Sequence, residues 1–470
     1  MPAQPTTPHL DRPTASARGR RPRPEALPPW GWLEWVVLAQ TAFPALMFIP
    51  GTTRIRVVTR VASFALSLLA WGSVVLLGRP RVGRRFPAAP WLAACAAWLV
   101  VSILHPTTNS LVSGTAQAAL DIAVLAPAFW VGTADVSPGR LKRLMGLLFA
   151  CNVASVLLGL GQFYRPEVFN PPVVPILQLK PDIESSLSIQ TADGRTVLRP
   201  CGLTDTPGGA STGGALVALV GLCWALRPSA AWKRLAAFGL AVAGVAVIYL
   251  SQVRAHMVML GVCLGVMIAL FARRGDYRRA ALLLAGSAAA FGLGLLWVLR
   301  HGGAAVVERF LSLIHERPDQ LYYNNRGIFL RATLQEEIWK YPLGAGLGRW
   351  GMTNAYFGDQ TPSADRYSLW SEIQWTSWIY DGGIPLLVAY TVAIALAIAA
   401  AARVARRSAD PEVGFWAVPI CALGLSTLAL CFSGHPFVSG AGVQFWALLA
   451  ALYAADQRAQ RERGRLLGRG

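Results

Sequence analysis

The stretch LAAFGLAVAGVAVIYL (235–250), SQVR (251–254), AHMVMLGVCLGVMIALFA (255–272) decides the fold. Two apolar runs, each roughly long enough to cross a hydrocarbon core, are parted by four residues that include a lone cation, Arg254. Working outward, comparable runs recur at 30–49, 61–77, 91–104, 113–132, 144–162, 209–226, 280–299, 384–402, 413–432 and 438–455. Together they predict an all-α, polytopic membrane protein of about twelve spans. Composition agrees, because 54% of the 470 residues are hydrophobic and 14% are charged, with a mean hydropathy of +0.44, whereas a soluble chain carries about a quarter charged residues. The net charge of +19 would suit a nucleic-acid binder in a soluble protein. Here it falls in short clusters between apolar runs and reads as topology, so no nucleic-acid partner is expected.

With the N-terminus taken as cytoplasmic, the pieces 1–29, 78–90, 133–143, 227–234, 273–279, 403–412 and 456–470 hold 27 Arg and Lys, while the short exterior loops 105–112 and 433–437 hold none. Both termini are therefore expected on the cytoplasmic side. Residues 50–60, expected outside, disagree through Arg54, Arg56 and Arg60: an anionic lipid or substrate contact, or misplaced first spans, would each account for them. The chain divides into a Pro- and Arg-rich disordered tail (1–29), helices (30–162), a first long exterior loop (163–208), helices (209–299), a second long exterior loop (300–381), helices (382–455) and a basic tail (456–470). Loops of this length are usually functional, which places function on the outer face. In the second loop, Asn325 is expected to N-cap an amphipathic helix with Leu330, Leu334, Ile338 and Tyr341 on one side, Arg331, Gln335 and Glu336 opposite, and Pro342 as the stop. Gly344, Gly346 and Gly348 then read as a flexible turn, too sparse for a phosphate loop.

No Ser-His-Asp arrangement, HExxH, CxxC or Walker pattern appears, the six histidines are scattered, and six of seven cysteines lie in apolar runs. Neither a metal nor a cofactor is expected. Arg199, Arg254 and Arg326 stand at outer ends of spans or at the start of the amphipathic helix, where positive charge is disfavoured unless it meets an anion or snorkels to headgroups. Asp121 lies mid-span, and reads either as functional or as an interhelical hydrogen-bonding group. Glu34 and His256 read as satisfied by neighbours, and most Trp residues fit an interfacial belt.

The run RPCGLTDTPGG (199–209) resembles the "RxxGxxxxPN" motif of the bacterial O-antigen ligase and polysaccharide polymerase superfamily. SQVR (251–254) resembles its Ser-Arg helix junction, and RGIFL (326–330) running to YPLGAGLG (341–348) resembles its "R...W..A...hPl.GvGlG" block. DGGIP (381–385) resembles the "E.G.P" lead into the next span. The likeness covers residues 199 to 385, with two departures: Gly208 stands where the family has Asn, and Glu372 stands eleven residues before Gly383 where the family has its presumed catalytic His.

The resemblance implies transfer of a glycan from an undecaprenyl-diphosphate carrier to a glycan, lipid or protein acceptor hydroxyl, on the exterior face of the bacterial inner membrane. Arg254 and Arg326 would hold the diphosphate as it leaves, since guanidinium offers permanent, bidentate donors. A base on the other side of the sugar would deprotonate the acceptor for one inverting displacement without a metal. Glu372 is the expected base, its pKa raised by partial burial near Trp370, Trp375 and Trp378, or else merely the partner of a nearby Arg. Arg199, Asp205, Trp370 and Trp375 are expected to bind substrate; Asp205, Glu336 and Glu337 are reserve carboxylates, the last two expected on the solvated side of the amphipathic helix. A transporter or flippase of lipid-linked sugars, and a non-catalytic relative, remain as alternatives.

Overall fold

The computed structural model describes residues 29–49, 51–78, 83–171, 187–191, 194–301, 317–359, 361, 363–466 and 468. The tail expected at 1–29 lies outside them up to residue 28, as do 172–186 and 192–193 of the first long loop and 302–316 of the second.

Every apolar run of the sequence is helical. The chain forms α1 (Trp32–Ala42), α2 (Arg56–Leu76), α3 (Ala89–Ser102), α4 (Leu111–Leu125), α5 (Pro138–Tyr164), α6 (Ala210–Ala225), α7 (Ala231–Ser251), α8 (Arg254–Arg273) and α9 (Tyr277–His301). A helical segment α10 (318–340) and a short α11 (Gly351–Phe357) precede α12 (Gln374–Arg407), α13 (Pro411–Leu430) and α14 (Gly440–Leu466). Seven of these helices are long and apolar enough to cross a membrane, or eight when Leu111–Leu125 and the bent continuation Pro127–Thr133 count as one span. The protein is therefore helical and membrane-embedded. Trp32–Phe48, Ala89–Ser102 and Ala210–Ala225 are apolar but shorter, and α14 ends in charged residues. The fold departs from all-α at one hairpin, β1 (Ser188–Gln190) against antiparallel β2 (Thr196–Leu198), with Ile189 opposite Val197, both buried.

Small residues let the central helices meet. A Cβ on Gly214 would come within 2.6 Å of the Gly244 carbonyl, and one on Gly244 within 2.5 Å of the Gly214 carbonyl, so α6 and α7 touch backbone to backbone. Helices α8 and α13 are joined by Cys263 Sγ, which donates to Ser426 Oγ at 3.1 Å.

The bundle has two unlike ends. At one, charges compensate one another: buried Glu34 accepts from Arg140 and Arg143 at 2.6 Å each, Arg227 pairs with Glu412 at 2.6 Å, and Arg458 with Asp135 at 2.7 Å. The expected satisfaction of Glu34 is thus met by two guanidiniums. At the other end the long connections gather, and three sequence expectations change there.

Helix α10 begins at Pro318 after Arg317, so Asn325 is not an N-cap but lies inside a π-turn, Tyr323–Gly327. A second π-turn, Thr333–Glu337, follows. Each π-turn adds a residue, so the 3.6-residue period breaks: Gly327 and Thr333 are buried while Leu334 is exposed. The polar side, Arg331, Gln335 and Glu336, is exposed as expected, but Glu337 is half-buried and its Oε2 has no hydrogen-bond partner. Helix α12 begins at Gln374, earlier than the expected span, and breaks at Gly383 (φ 63°, ψ −153°) just before Pro385, which lacks the N–H to continue the ladder.

The glycine turn is close-packed rather than flexible. Residues 344–350 are buried, Gly346 has φ +88°, and a Cβ there would lie about 2.5 Å from the backbone of Thr107 and Thr108. The turn clamps the α3–α4 connection to α12, where Ala345 N–H donates to the Tyr380 carbonyl at 2.8 Å. Gly346→Ala is expected to destabilise the fold by about 2–4 kcal/mol, from the left-handed backbone and the overpacking together. Thermal unfolding of the purified protein checks this, and an unchanged midpoint contradicts it.

Candidate functional site

Arg326 lies in the first π-turn of α10, over the buried Gly327. Its Nη1 meets Glu372 Oε2 at 2.6 Å, with 38% and 21% of the two side chains exposed. Glu372 is held in the extended lead into α12, whose N-cap Ile373 has φ −136° and ψ 152°. Thr333 and Thr376 hydroxyls, 2.6 Å apart, dock α10 on α12, and the Tyr322 hydroxyl donates to the Phe432 carbonyl at 3.2 Å. Two of the three residues expected to be catalytic are thus brought into contact. The expected apolar surrounding is not what Glu372 finds, because Trp370 is 63% exposed and the carboxylate faces a guanidinium. Its Oε2 is engaged by Arg326.

A residue not singled out from the sequence sits beside the pair. Gln374 N–H donates to the Cys431 carbonyl at 3.1 Å and Gln374 Oε1 accepts from Phe437 N–H at 2.9 Å, which fixes the α13–α14 connection against the start of α12. That connection carries His435, whose ring lies 5.0 Å from Trp350 and whose Nε2 is 2.9 Å from Ser371 Oγ. Ser371 has one hydroxyl proton, which it gives to the Ile373 carbonyl at 3.2 Å, so Nε2 is the donor to Ser371 and Nδ1 keeps a free lone pair. Burial, and then the charge of Arg326, push the imidazole down to about 4 and hold it neutral at neutral pH. Trp350 continues the network inward, donating Nε1–H to buried Asp381 at 2.8 Å.

His435 also lines a cavity of about 850 Å³ that opens at the loop-rich end between α1, α2, α4, α5, α6, α8 and α14. Its walls are mainly apolar, with Phe64, Leu68, Leu120 and Leu216 among them. Val253, Ala255 and His256 line it as well, and Arg254 stands between them without lining it. The sharp α7–α8 junction is made by Gln252 in the left-handed region (φ 53°), against which Gly208 (φ +83°) packs so closely that a Cβ would lie 2.9 Å from Val253. Glycine in place of the family's Asn is therefore fitted to this turn. Ser251 Oγ and Arg254 Nη1 are buried with no hydrogen-bond partner, and among the described residues Arg254 has no ion pair. The antiparallel contact of Cys263 with Ser426 fixes the level of the junction. His256 is about two turns from Cys263, as Ser433 is from Ser426, so the start of α8 and the connection bearing His435 lie at one height.

The remaining expectations fare differently. Asp205 is 3% exposed and accepts from Arg60 Nη2 at 2.7 and 2.9 Å, so this Arg of the segment 50–60 meets a carboxylate of the chain itself. Breaking this pair by Asp205→Asn is expected to cost about 2 kcal/mol, discounted because Arg60 is a quarter exposed, and the double variant with Arg60→Met to recover part of it. Chemical or thermal unfolding reads both. Arg199 sits at the foot of the hairpin, where its carbonyl accepts from Gly208 N–H at 3.4 Å. Trp375 packs on Trp378 and Phe432 with ring centroids 5.4 and 5.2 Å away, whereas Trp370 is 63% exposed. Asp121 accepts from Gln117, which in turn accepts from Thr353.

Comparison with known proteins returns no matching family model and no matching curated protein. What can be said of chemistry rests on the arrangement itself: a guanidinium paired to a carboxylate beside a neutral imidazole that lines the cavity, and, at the level of that imidazole on α8, a guanidinium with no ion pair among the described residues.

Proposed function

We propose that the protein transfers a glycan from a polyprenyl-diphosphate carrier, of the undecaprenyl type, to an acceptor hydroxyl, as in O-antigen ligases and polymerases. The observation that carries this reading is the convergence of Arg326, Glu372 and cavity-lining His435, with the unpaired Arg254 at the same height on α8. Under this reading all twelve helical runs cross the bacterial inner membrane, the loop-rich end faces outward, and the Arg-rich end with both termini is cytoplasmic.

The chemistry follows from the charges. A carrier lipid has an apolar chain and a concentrated anionic head, and two guanidiniums beside an apolar cavity suit both parts. Arg254 binds the diphosphate without first giving up a partner. Arg326 turns from Glu372 to the second phosphate, which releases the carboxylate. The acceptor oxygen attacks the anomeric carbon as the bond from that carbon to the phosphate oxygen breaks, the hydroxyl proton passes to a base, and the charge left on the diphosphate is taken up by the two guanidiniums. A single displacement inverts the anomeric configuration, and the guanidiniums supply the positive charge, so added metal is not required.

Glu372 is one candidate base, its Oε2 held by Arg326 until that guanidinium turns to the phosphate. His435 is the second, favoured by its free Nδ1 and its place in the cavity wall. The test is transfer by the purified chain in lipid nanodiscs from a polyprenyl-diphosphate-linked oligosaccharide, with glycan, lipid and protein acceptors compared. Inverted product formed in the presence of a chelator supports the reading. Retained configuration, or no transfer to any acceptor, overturns it in favour of a carrier or a non-catalytic assembly factor.

A further inference from the structure

The cavity wall formed by α5, α6 and the start of α8 carries a row of polar groups that the reaction above does not use. Ser211 Oγ donates to the Gly208 carbonyl at 2.6 Å, so at 2.6 Å from His256 Nδ1 it is the acceptor, and Nδ1 carries the proton. Nε2 of His256 is then an acceptor, with the Thr212 hydroxyl 3.3 Å away. Thr212 is exposed although it sits in the first turn of a helix whose next residues are buried, because it faces the cavity. Asn152 gives its Nδ2–H to the Leu148 carbonyl at 2.8 Å, which leaves Oδ1 for the cavity. Ser155 Oγ accepts from Leu203 N–H at 3.1 Å and keeps its own proton to donate. Gly213 makes the room: a Cβ there would come within 3.3 Å of Asn152 Oδ1 and of Ser155.

None of these four is a carboxylate, Lys or Arg, and they offer acceptors and hydroxyls in turn in a cavity whose walls also hold apolar side chains, His435 and Arg60, the last engaged by Asp205. An anion finds no cation among them, and a bare hydrocarbon leaves their hydrogen bonds unmade. Adjacent hydroxyls on a ring, each both donor and acceptor, match the row, while the C–H faces of the ring match Leu216 and its apolar neighbours. We propose that Asn152, Ser155, Thr212 and His256 form a subsite for an uncharged sugar ring, the acceptor's, which presents its free hydroxyl to His435 across the same cavity. This rests on the transferase reading for the word acceptor; the sugar subsite itself does not. It narrows the acceptor to a glycan terminus and excludes a protein hydroxyl or a sugar-free lipid.

The experiment measures binding of a short-chain alkyl glucoside, below its micelle concentration, to the full chain in nanodiscs, by saturation-transfer NMR, against an alkyl phosphate of the same chain. Thr212→Val and Asn152→Leu keep shape and remove the polar atoms; each is expected to weaken the glucoside about tenfold and leave the alkyl phosphate unchanged. In turnover the same two variants raise acceptor KM about tenfold with donor hydrolysis by water unaltered. No glucoside binding to the wild type, or equal binding by Thr212→Val and Asn152→Leu, overturns the subsite. A parallel fall in donor hydrolysis assigns the row to the donor and overturns it as an acceptor site. Glucoside binding with the expected losses but no transfer by any preparation keeps the subsite and removes the transferase reading.

Discussion

Arg254→Ala is expected to lower kcat/KM for glycan transfer by about 10²–10³-fold while leaving the protein at least as stable as the wild type. The two halves of this result have one cause. Arg254 Nη1 is buried without a hydrogen-bond partner, and no carboxylate among the described residues pairs with it. Burying such a charge is unfavourable to the empty fold, and its removal relieves that burden. The same guanidinium becomes useful when a diphosphate arrives, and more so as the leaving group gains charge. Arg254→Lys keeps the charge but not the planar pair of donors, and should recover only a small part of the rate. Initial rates at varied donor concentration, beside an unfolding curve for each variant, make the check. A fall in stability with unchanged rate per folded molecule would mean that Arg254 is a structural residue reaching lipid headgroups.

The contrast with Arg60 shows which parts of the site the sequence could reveal. Both are Arg residues at the loop-rich end of the bundle, and nothing local separates them. Arg60 finds Asp205, 145 positions away, and is compensated, whereas Arg254 meets no carboxylate among the described residues. Partnership at that distance is set by which helices pack together, and hydropathy is silent on it. The helices themselves were legible because each is a local property of composition. The π-turns were not, since a helical period read from Leu330, Leu334 and Ile338 assumes 3.6 residues per turn and each insertion breaks it. Nor was the glycine turn, where three glycines looked permissive and are instead required by backbone contact with Thr107, Ser113 and Gly382. His435 escaped for a further reason. The resembled motif places a His in the long loop before α12, whereas the imidazole beside Ser371 and Arg326 belongs to the short connection after α13. The available signal was Gly434-His435-Pro436 in a loop with no other ionisable residue, on the face where function was expected.

His435→Gln is expected to lower kcat by about 10²–10⁴-fold with little change in donor KM, the range typical of losing a general base. Glu372→Gln should act differently, because its carboxylate partners Arg326 at 2.6 Å: donor KM changes with kcat, as Arg326 loses the group that holds it ready. The pH profile separates the two. In the free enzyme His435 is held down to about 4 by burial and by Arg326, so the acid limb of kcat/KM falls near that value. Once the diphosphate neutralises Arg326, the second of these causes is reversed, and the acid limb of kcat should lie at higher pH than that of kcat/KM. The stability consequence has a definite sign. The fold favours neutral His435, whose unfolded value is about 6.5, so protons bind the unfolded chain first and stability is lost as pH falls from about 6.5 to about 4. His435→Gln removes that loss as well as the limb shift. If the variant retains wild-type kcat and both limbs stay in place while Glu372→Gln abolishes turnover, the proton goes to Glu372, and the imidazole serves only to fill the space between Trp350 and Ser371.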